Sequence, residues 1–177
     1  MLFQFCPRCR AAKVGYDGAK KYRCSRCGWV FFQNVACAAG VIIEYRGRLA
    51  LVVRNNEPAK GKLDLPGGFV DPGESAEQAA RREVKEELGI ELGRMKYFGS
   101  YANRYRYEGV TYDTCDIVFV AHLRRLEVKL AEEVRALELV RAEEAKLGRI
   151  AFKSLRAAVA EYIKGRGTAS RARGTGR

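Results

Sequence analysis

The chain lacks the features that would place it in a membrane or carry it across one. No apolar stretch approaches the roughly 20 residues of a membrane helix; the longest, Val35 to Ile43, has nine. The opening residues, Met1-Leu-Phe-Gln-Phe-Cys6, hold neither a charged n-region nor an apolar h-region, so no signal peptide is expected and the expected location is cytoplasmic. No internal repeat is present. Acid is scarce at both ends. Residues 1–32 set Arg8, Arg10, Lys13, Lys20, Lys21, Arg23 and Arg26 against Asp17 alone. Residues 164–177 hold Lys164, Arg166, Arg171, Arg173 and Arg177 and no acid at all. The tail 165–177 also has no apolar side chain larger than alanine. It cannot bury surface to offset its ordering entropy and is expected to be a disordered basic tail.

The formal charge of +12 therefore sits on the ends, leaving +1 for residues 33–163. Such ends attract phosphates or nucleic acid, or simply keep a surface solvated. With 177 residues, 47% of them apolar, the chain has room for one ordinary domain and a small appendage. The expected division is 1–32, short and rich in cysteine; 34–164, one α/β unit; and 165–177, the tail. A homodimer is compatible with this reading.

Within the middle unit, Val35–Tyr45 and Leu49–Arg54 are rich in β-branched and apolar residues around Arg46-Gly47-Arg48, the signature of a hairpin. Lys96–Tyr107, Thr111–Leu123 and the shorter Leu137–Arg141 are further predicted strands. A helix is predicted over 75–88, with Ser75 and Gln78 as a capping box and Gly89 as its stop. A second is predicted over 152–164, with Phe152, Leu155, Val159, Tyr162 and Ile163 on one face and Gly165 ending it. A mixed sheet with helices packed on it follows.

Cys6-Pro-Arg-Cys9 and Cys24-Ser-Arg-Cys27 form a CxxC–x14–CxxC pattern. Each CxxC turns two thiolates toward one point, and two such knuckles complete a tetrahedral S4 site suited to structural zinc. Two disulfides or a redox pair would use the same residues, but disulfides need an oxidising compartment for which the sequence holds no signal. Gly28 follows the second knuckle, as its turn requires, whereas Arg10 stands in the matching place after the first. Tyr22, Trp29, Phe31 and Phe32 interleave with basic residues, as a base-stacking surface would, or as aromatics that dock the ribbon onto the rest of the chain. Cys37 and Cys115 fall in predicted strands and are expected in the core.

The segment from Gly67 to Ile90 carries the chemistry. A Gly/Pro-rich loop, Pro66 to Gly73, runs into the first helix, which places Glu83, Glu86 and Glu87 at i, i+3 and i+4. At 3.6 residues per turn they share a face spanning roughly 100°. Clustered carboxylates need a counter-charge, and no basic residue is placed to neutralise all three; Mg²⁺ or Mn²⁺, with their preference for hard oxygen, would supply it. Val84, Leu88 and Ala80 form an adjoining apolar stripe. Ala76 and Ala79 lie near the acidic face and leave room for a bulky ligand.

This segment resembles the Nudix box, G-x5-E-x7-R-E-U-x-E-E-x-G-U with U aliphatic. Gly68, Glu74, Arg82, Glu83, Val84, Glu86, Glu87, Gly89 and Ile90 occupy all nine positions at the right spacing. The resemblance implies the Nudix fold, a mixed sheet sandwiched by helices, over roughly 35–163. It implies Glu83, Glu86 and Glu87 as metal ligands, helped by the Gly67 carbonyl, and a Glu74–Arg82 pair that fixes the loop. It also implies hydrolysis of the pyrophosphate bond in a nucleoside diphosphate linked to another group, such as ADP-ribose, NADH or a nucleotide sugar. Several family members carry a further glutamate beyond the box; His122, Asp116, Glu132 and Glu133 are the candidates here. The preceding zinc ribbon is similar to that of the NADH pyrophosphatase group, which includes enzymes acting on NAD-capped RNA. The second signature of that group, SQPWPFPxS, is absent. The region after the box instead offers Tyr101, Arg104 and Tyr105, which could stack a base and hold a phosphate. The competing reading is a Nudix-like ligand-sensing or nucleic-acid-binding module that uses the ribbon and tail.

Overall fold

A computed structural model describes residues 3–12 and 14–174, with side chains through Arg166. The chain divides into two compact units, Met1–Val35 and Ala36–Arg177. Among the described residues, no helix is long and apolar enough to cross a membrane.

The first unit is a three-stranded antiparallel sheet of β1 (Val14–Tyr16), β2 (Lys21–Cys24) and β3 (Val30–Phe32), in that order. Alternation along β2 buries Tyr22 and Cys24 and turns Arg23 outward. Cys6, Val14, Tyr22 and Cys24 make a small core, with Phe3 and Trp29 packed against it. Asp17 closes the β1–β2 turn by accepting from the backbone N–H groups of Ala19, Lys20 and Lys21.

The second unit is a mixed sheet built on β4 (Ala36–Tyr45), β5 (Arg48–Arg54), β8 (Met95–Tyr107), β9 (Val110–Leu123) and β10 (Val134–Arg141). The order is β10-β5-β4-β9-β8, and the β4–β9 pair is parallel. Two short strands complete it: β6 (Leu63–Asp64) on β5 and β7 (Gly67–Phe69) on β4. The hairpin turn expected between β4 and β5 is present, with Arg46 and Gly47 both left-handed, the geometry that matches strand twist.

Both sheet faces are covered because the strands carry apolar residues at odd and even positions alike. Val41, Ile43, Ala50, Val52, Phe119 and Ala121 face α1 (Ala76–Leu88), which supplies Ala79, Ala80, Val84 and Leu88. Ile42, Leu49, Leu51, Val53 and Val118 face α2 (Lys153–Gly174), which supplies Leu155, Ala158 and Val159. Val84 and Leu88 are fully buried; each contributes about 1.5–3 kcal/mol of transfer free energy. The expected capping box is formed: Ser75 Oγ accepts from the Gln78 N–H and Gln78 Oε1 accepts from the Ser75 N–H. Gly89 ends the helix at φ 71°.

Three expectations need correction. The second helix does not stop at Gly165 but continues to Gly174, so residues 165–174, read as structureless, are helical. An exposed glycine costs a helix only about 1 kcal/mol, and Arg166 anchors this turn by donating to Glu44. The rest of the expected tail lies outside the described residues. Ala79 leaves no space for a ligand, because it is in the α1 core. Cys37 and Cys115 are register partners on β4 and β9, but both are only partly buried, lying before the part of each strand that α1 covers.

Candidate active site and cysteine cluster

The four ribbon sulfurs all lie within 4.8 Å of one another. The Arg10 N–H donates to the Cys6 carbonyl and the Gly28 N–H to the Cys24 carbonyl, so the two knuckles close alike. Both closing residues are left-handed, Gly28 at φ 70° and Arg10 at φ 60°. The glycine adopts this without strain; the arginine does so at a cost that the knuckle geometry imposes. Backbone N–H groups of Cys27 and Arg26 hold the Cys24 thiol below its usual range, while burial and the three neighbouring sulfurs push that of Cys9 up.

In the second unit, the box glycines bring β7 against both β4 and α1. At Gly67, φ is 147° and a Cβ would lie 2.1 Å from the Ala39 carbonyl oxygen. At Gly68 a Cβ would lie 2.4 Å from Glu83 Oε1. A side chain at Gly67 would force β7 away from the β4 backbone, and one at Gly68 would displace the Glu83 carboxylate, so the close approach of backbone to carboxylate depends on these two glycines.

Arg82 organises the acidic face. Its Nε and Nη2 donate to the two oxygens of Glu74 at 2.8 and 3.0 Å, the pair the motif implied. The same guanidinium reaches Glu83 at 2.8 Å, Glu86 at 3.1 Å and the Phe69 carbonyl at 3.0 Å. As expected, no basic residue neutralises all three acids: Arg82 reaches Glu83 and Glu86, because i+1 and i+4 both fall within reach of the guanidinium fork, but not Glu87. Hydrogen bonds from Arg82 and from the Asp71 N–H hold Glu74 below the usual carboxylate range.

Glu87 is different. Its partner is the Gly67 N–H, 3.0 Å away. Burial, followed by the charges of Asp64, Glu83 and Glu133, pushes its carboxyl up to about 8 against that hydrogen bond. The contact to Gly67 runs through the amide N–H. Glu83 is also raised, chiefly by burial, despite Arg82.

Two adjoining depressions meet at Arg54, Asp64, Gly67, Gly68 and Phe69. One has a volume of about 270 Å³ and is acidic, with Asp71, Glu83, Glu87 and Glu133 in its wall. The other has a volume of about 160 Å³ and is walled by Phe69, Tyr105 and Phe152, together with Asn103, Asp116 and Leu155. Phe69 meets Tyr105 edge-on at 5.5 Å, and Tyr105 meets Phe152 at 5.7 Å. Arg54 stands between the two. It donates to Asp64 at 2.7 Å and to the Pro58 carbonyl at 2.9 Å, and lies 5.1 Å over the Phe152 ring. Burial raises Asp64 to about 6 in spite of that arginine.

The structure distributes the residues named from sequence unevenly. Tyr105 lines the aromatic depression. Tyr101 lies under α2, donating to Glu161 at 2.9 Å, and Arg104 points to the opposite side of β8, paired with Asp113. Of the candidates beyond the box, Glu133 reaches the acidic cluster. His122 is exposed beside Glu44, and Asp116 is buried, accepting from Thr114 and Ser154. Glu132 contributes its carbonyl to Asn55. Sequence reasoning missed Arg54, Asp64, Phe69 and Phe152. Phe69 sits inside the box and was within reach, but nothing local marks the other three.

Comparison with known proteins agrees with this geometry. The chain is 34% identical over 119 residues to an ADP-ribose pyrophosphatase of Methanocaldococcus jannaschii, covering 67% of this chain and 65% of the relative. It is 32% identical over 97 residues to the NAD-capped RNA hydrolase NudC of Pseudomonas aeruginosa, covering 55% of this chain and 34% of that protein. It thus spans about a third of the second relative and just under two thirds of the first. The crystal structure of a NUDIX hydrolase from Nitrosomonas europaea matches over 94% of this chain and 93% of its own, with a TM-score of 0.72 and 25% identity. The family model described as the NUDIX domain matches residues 34–161, and the chain belongs to the NUDIX family.

Proposed function

We propose that this protein hydrolyses the pyrophosphate bond of a nucleoside diphosphate linked to a second moiety, of the ADP-ribose, NADH or nucleotide-sugar class. The observation that carries the reading is the unbalanced acidic wall: Glu87, raised to about 8 by burial and by Asp64, Glu83 and Glu133, beside an aromatic depression sized for a base. The donor set is all hard oxygen, which fits Mg²⁺ or Mn²⁺. Glu83, Glu86 and Glu87 would hold the cation, and a proton on Glu87 would leave as it binds. The cation would screen the pyrophosphate charge and acidify the attacking water.

The remaining roles belong to the chain. Arg82 and Glu74 lock β7 to α1, so the acids are placed before substrate arrives. Arg54, between the two depressions, is positioned to meet a phosphate oxygen where the nucleotide crosses from one to the other. Phe69, Tyr105 and Phe152 hold the base and keep water from that end. Glu133 is the carboxylate placed to accept a proton from the attacking water. The cysteine cluster would hold structural zinc.

The test is a phosphate-release screen over NADH, ADP-ribose, nucleotide sugars, dinucleoside polyphosphates and NAD-capped RNA, with Mg²⁺ and with Mn²⁺. Cleavage by the wild type that Glu87→Gln abolishes supports the reading. Cleavage of none of these, or equal cleavage by the variant, overturns it.

A further inference from the structure

The outer face of the ribbon sheet has no part in the chemistry above, and its composition is unusual. Register pairs Lys21 with Phe32, Tyr22 with Phe31 and Arg23 with Val30. Alternation then separates the two faces. Tyr22 and Cys24 turn into the ribbon core. Lys21, Arg23, Val30 and Phe32 lie on the other face, opposite Gly15, which leaves that side of β1 bare. Phe32 is 47% exposed and Val30 40%, although the ribbon has a core to bury apolar groups in. The Lys21 ammonium sits 6.0 Å from the centre of the Phe32 ring.

Charge identifies the occupant. Residues 1–32 hold seven basic residues and one acid. That acid, Asp17, is held by three backbone N–H groups of its own turn and its charge reaches Lys21, so one acid stands against seven cations in the segment. An acidic peptide would satisfy the charge but leave the flat, exposed ring unused. A duplex would also satisfy the charge, but its bases are stacked on one another and unavailable to the ring. A single strand satisfies both, with phosphates on Lys21 and Arg23 and a splayed base on Phe32.

We propose that this face of the ribbon, formed by Lys21, Arg23, Val30 and Phe32, is a binding platform for single-stranded nucleic acid. It acts by stacking and phosphate contact, without reading sequence. This is independent of the hydrolytic reading, since none of the four residues belongs to the acidic or aromatic depression.

The experiment is fluorescence anisotropy of labelled 12-nucleotide single strands, RNA and DNA, titrated with the whole chain across a salt series without added Mg²⁺ or Mn²⁺. Wild type binds both, and the affinity falls with salt. Phe32→Leu weakens binding about tenfold or more, and Phe32→Tyr retains it, which separates loss of stacking from loss of folding. Lys21→Ala with Arg23→Ala lowers the slope of log affinity against log salt by about 1.4, for two phosphate contacts at ~0.7 each. Any one of three results overturns the proposal: duplex bound as tightly as single strand, no effect of Phe32→Leu, or a salt slope that the double variant leaves unchanged.

Discussion

The amide N–H of Gly67 donates to Glu87 across 3.0 Å, while the neighbouring carboxylates Glu83 and Glu86 rest on Arg82. One of three acids that the motif treats as equivalent is thus left without a cationic partner among its hydrogen bonds. The asymmetry decides how each should respond to substitution and to pH.

Glu87→Gln should lower kcat by orders of magnitude while the metal-free protein melts no lower, and above neutral pH higher, than wild type. The sign follows from the raised carboxyl. The folded state holds its proton up to about 8, whereas the unfolded chain releases it in the ordinary carboxylate range. Between those limits the folded state binds more protons, so stability falls as pH rises. Melting curves in EDTA from pH 5 to 9 should show that decline in wild type and a shallower one in the variant. Identical pH profiles would remove the argument. Mg²⁺ should raise the wild-type Tm more than that of the variant.

Arg82→Ala should destabilise the second unit by about 1.5–3 kcal/mol, the range for hydrogen bonds to charged groups. It removes the anchor of Glu74, Glu83, Glu86 and the Phe69 carbonyl together. Arg82→Lys should recover less than half of this, because an ammonium cannot span the fork. Urea denaturation in EDTA measures both; a Lys variant as stable as wild type would show that charge alone suffices. Glu86→Gln, whose side chain is exposed at 54%, should cost little stability yet impair catalysis.

Tyr105→Ala should raise KM for a nucleotide substrate with a smaller effect on kcat, since stacking supports ground and transition states alike. Tyr101→Ala should instead lower Tm and leave KM near wild type, because its ring and hydroxyl serve α2 through Glu161. Arg104→Ala should change neither appreciably, its side chain being 80% exposed and paired on the outer side of β8. Steady-state kinetics beside thermal melts separates the three; a KM effect at Tyr101 equal to that at Tyr105 would contradict the placement.

Freshly reduced protein should contain one zinc per chain by elemental analysis. Cys24→Ser should lose it and loosen the first unit while the second still melts cooperatively, because each unit has its own core. Cys37→Ser should leave the zinc content unchanged. Zinc retained in the Cys24 variant would place the metal elsewhere.

The local devices were legible in the sequence because each is written within a few residues. The capping box at Ser75 and Gln78, the stop at Gly89, the Arg46-Gly47 hairpin and the two CxxC knuckles all rest on contacts fewer than five residues apart, where steric and hydrogen-bond rules act on the chain directly. The Glu74–Arg82 pair was legible for another reason: the motif records it as a unit. The helix stop at Gly165 misled because a glycine lowers helix stability without forbidding it.

The sequence by itself determined the spacing and periodicity of the box residues and set the cysteine-bearing segment apart from the α/β unit. Only the tertiary structure decided which residues share a site. Arg54, Asp64 and Phe152 come from β5, β6 and the residue before α2, and nothing local in any of these segments announces that they converge. Tyr101 and Tyr105 look alike in sequence and share a face of β8, yet α2 covers the first and leaves the second open to the cleft. The cause is physical. Spacing along a strand or helix sets the direction of a side chain, but what that side chain meets depends on the packing of elements far apart in the chain, and burial, charge and proton affinity follow from that packing.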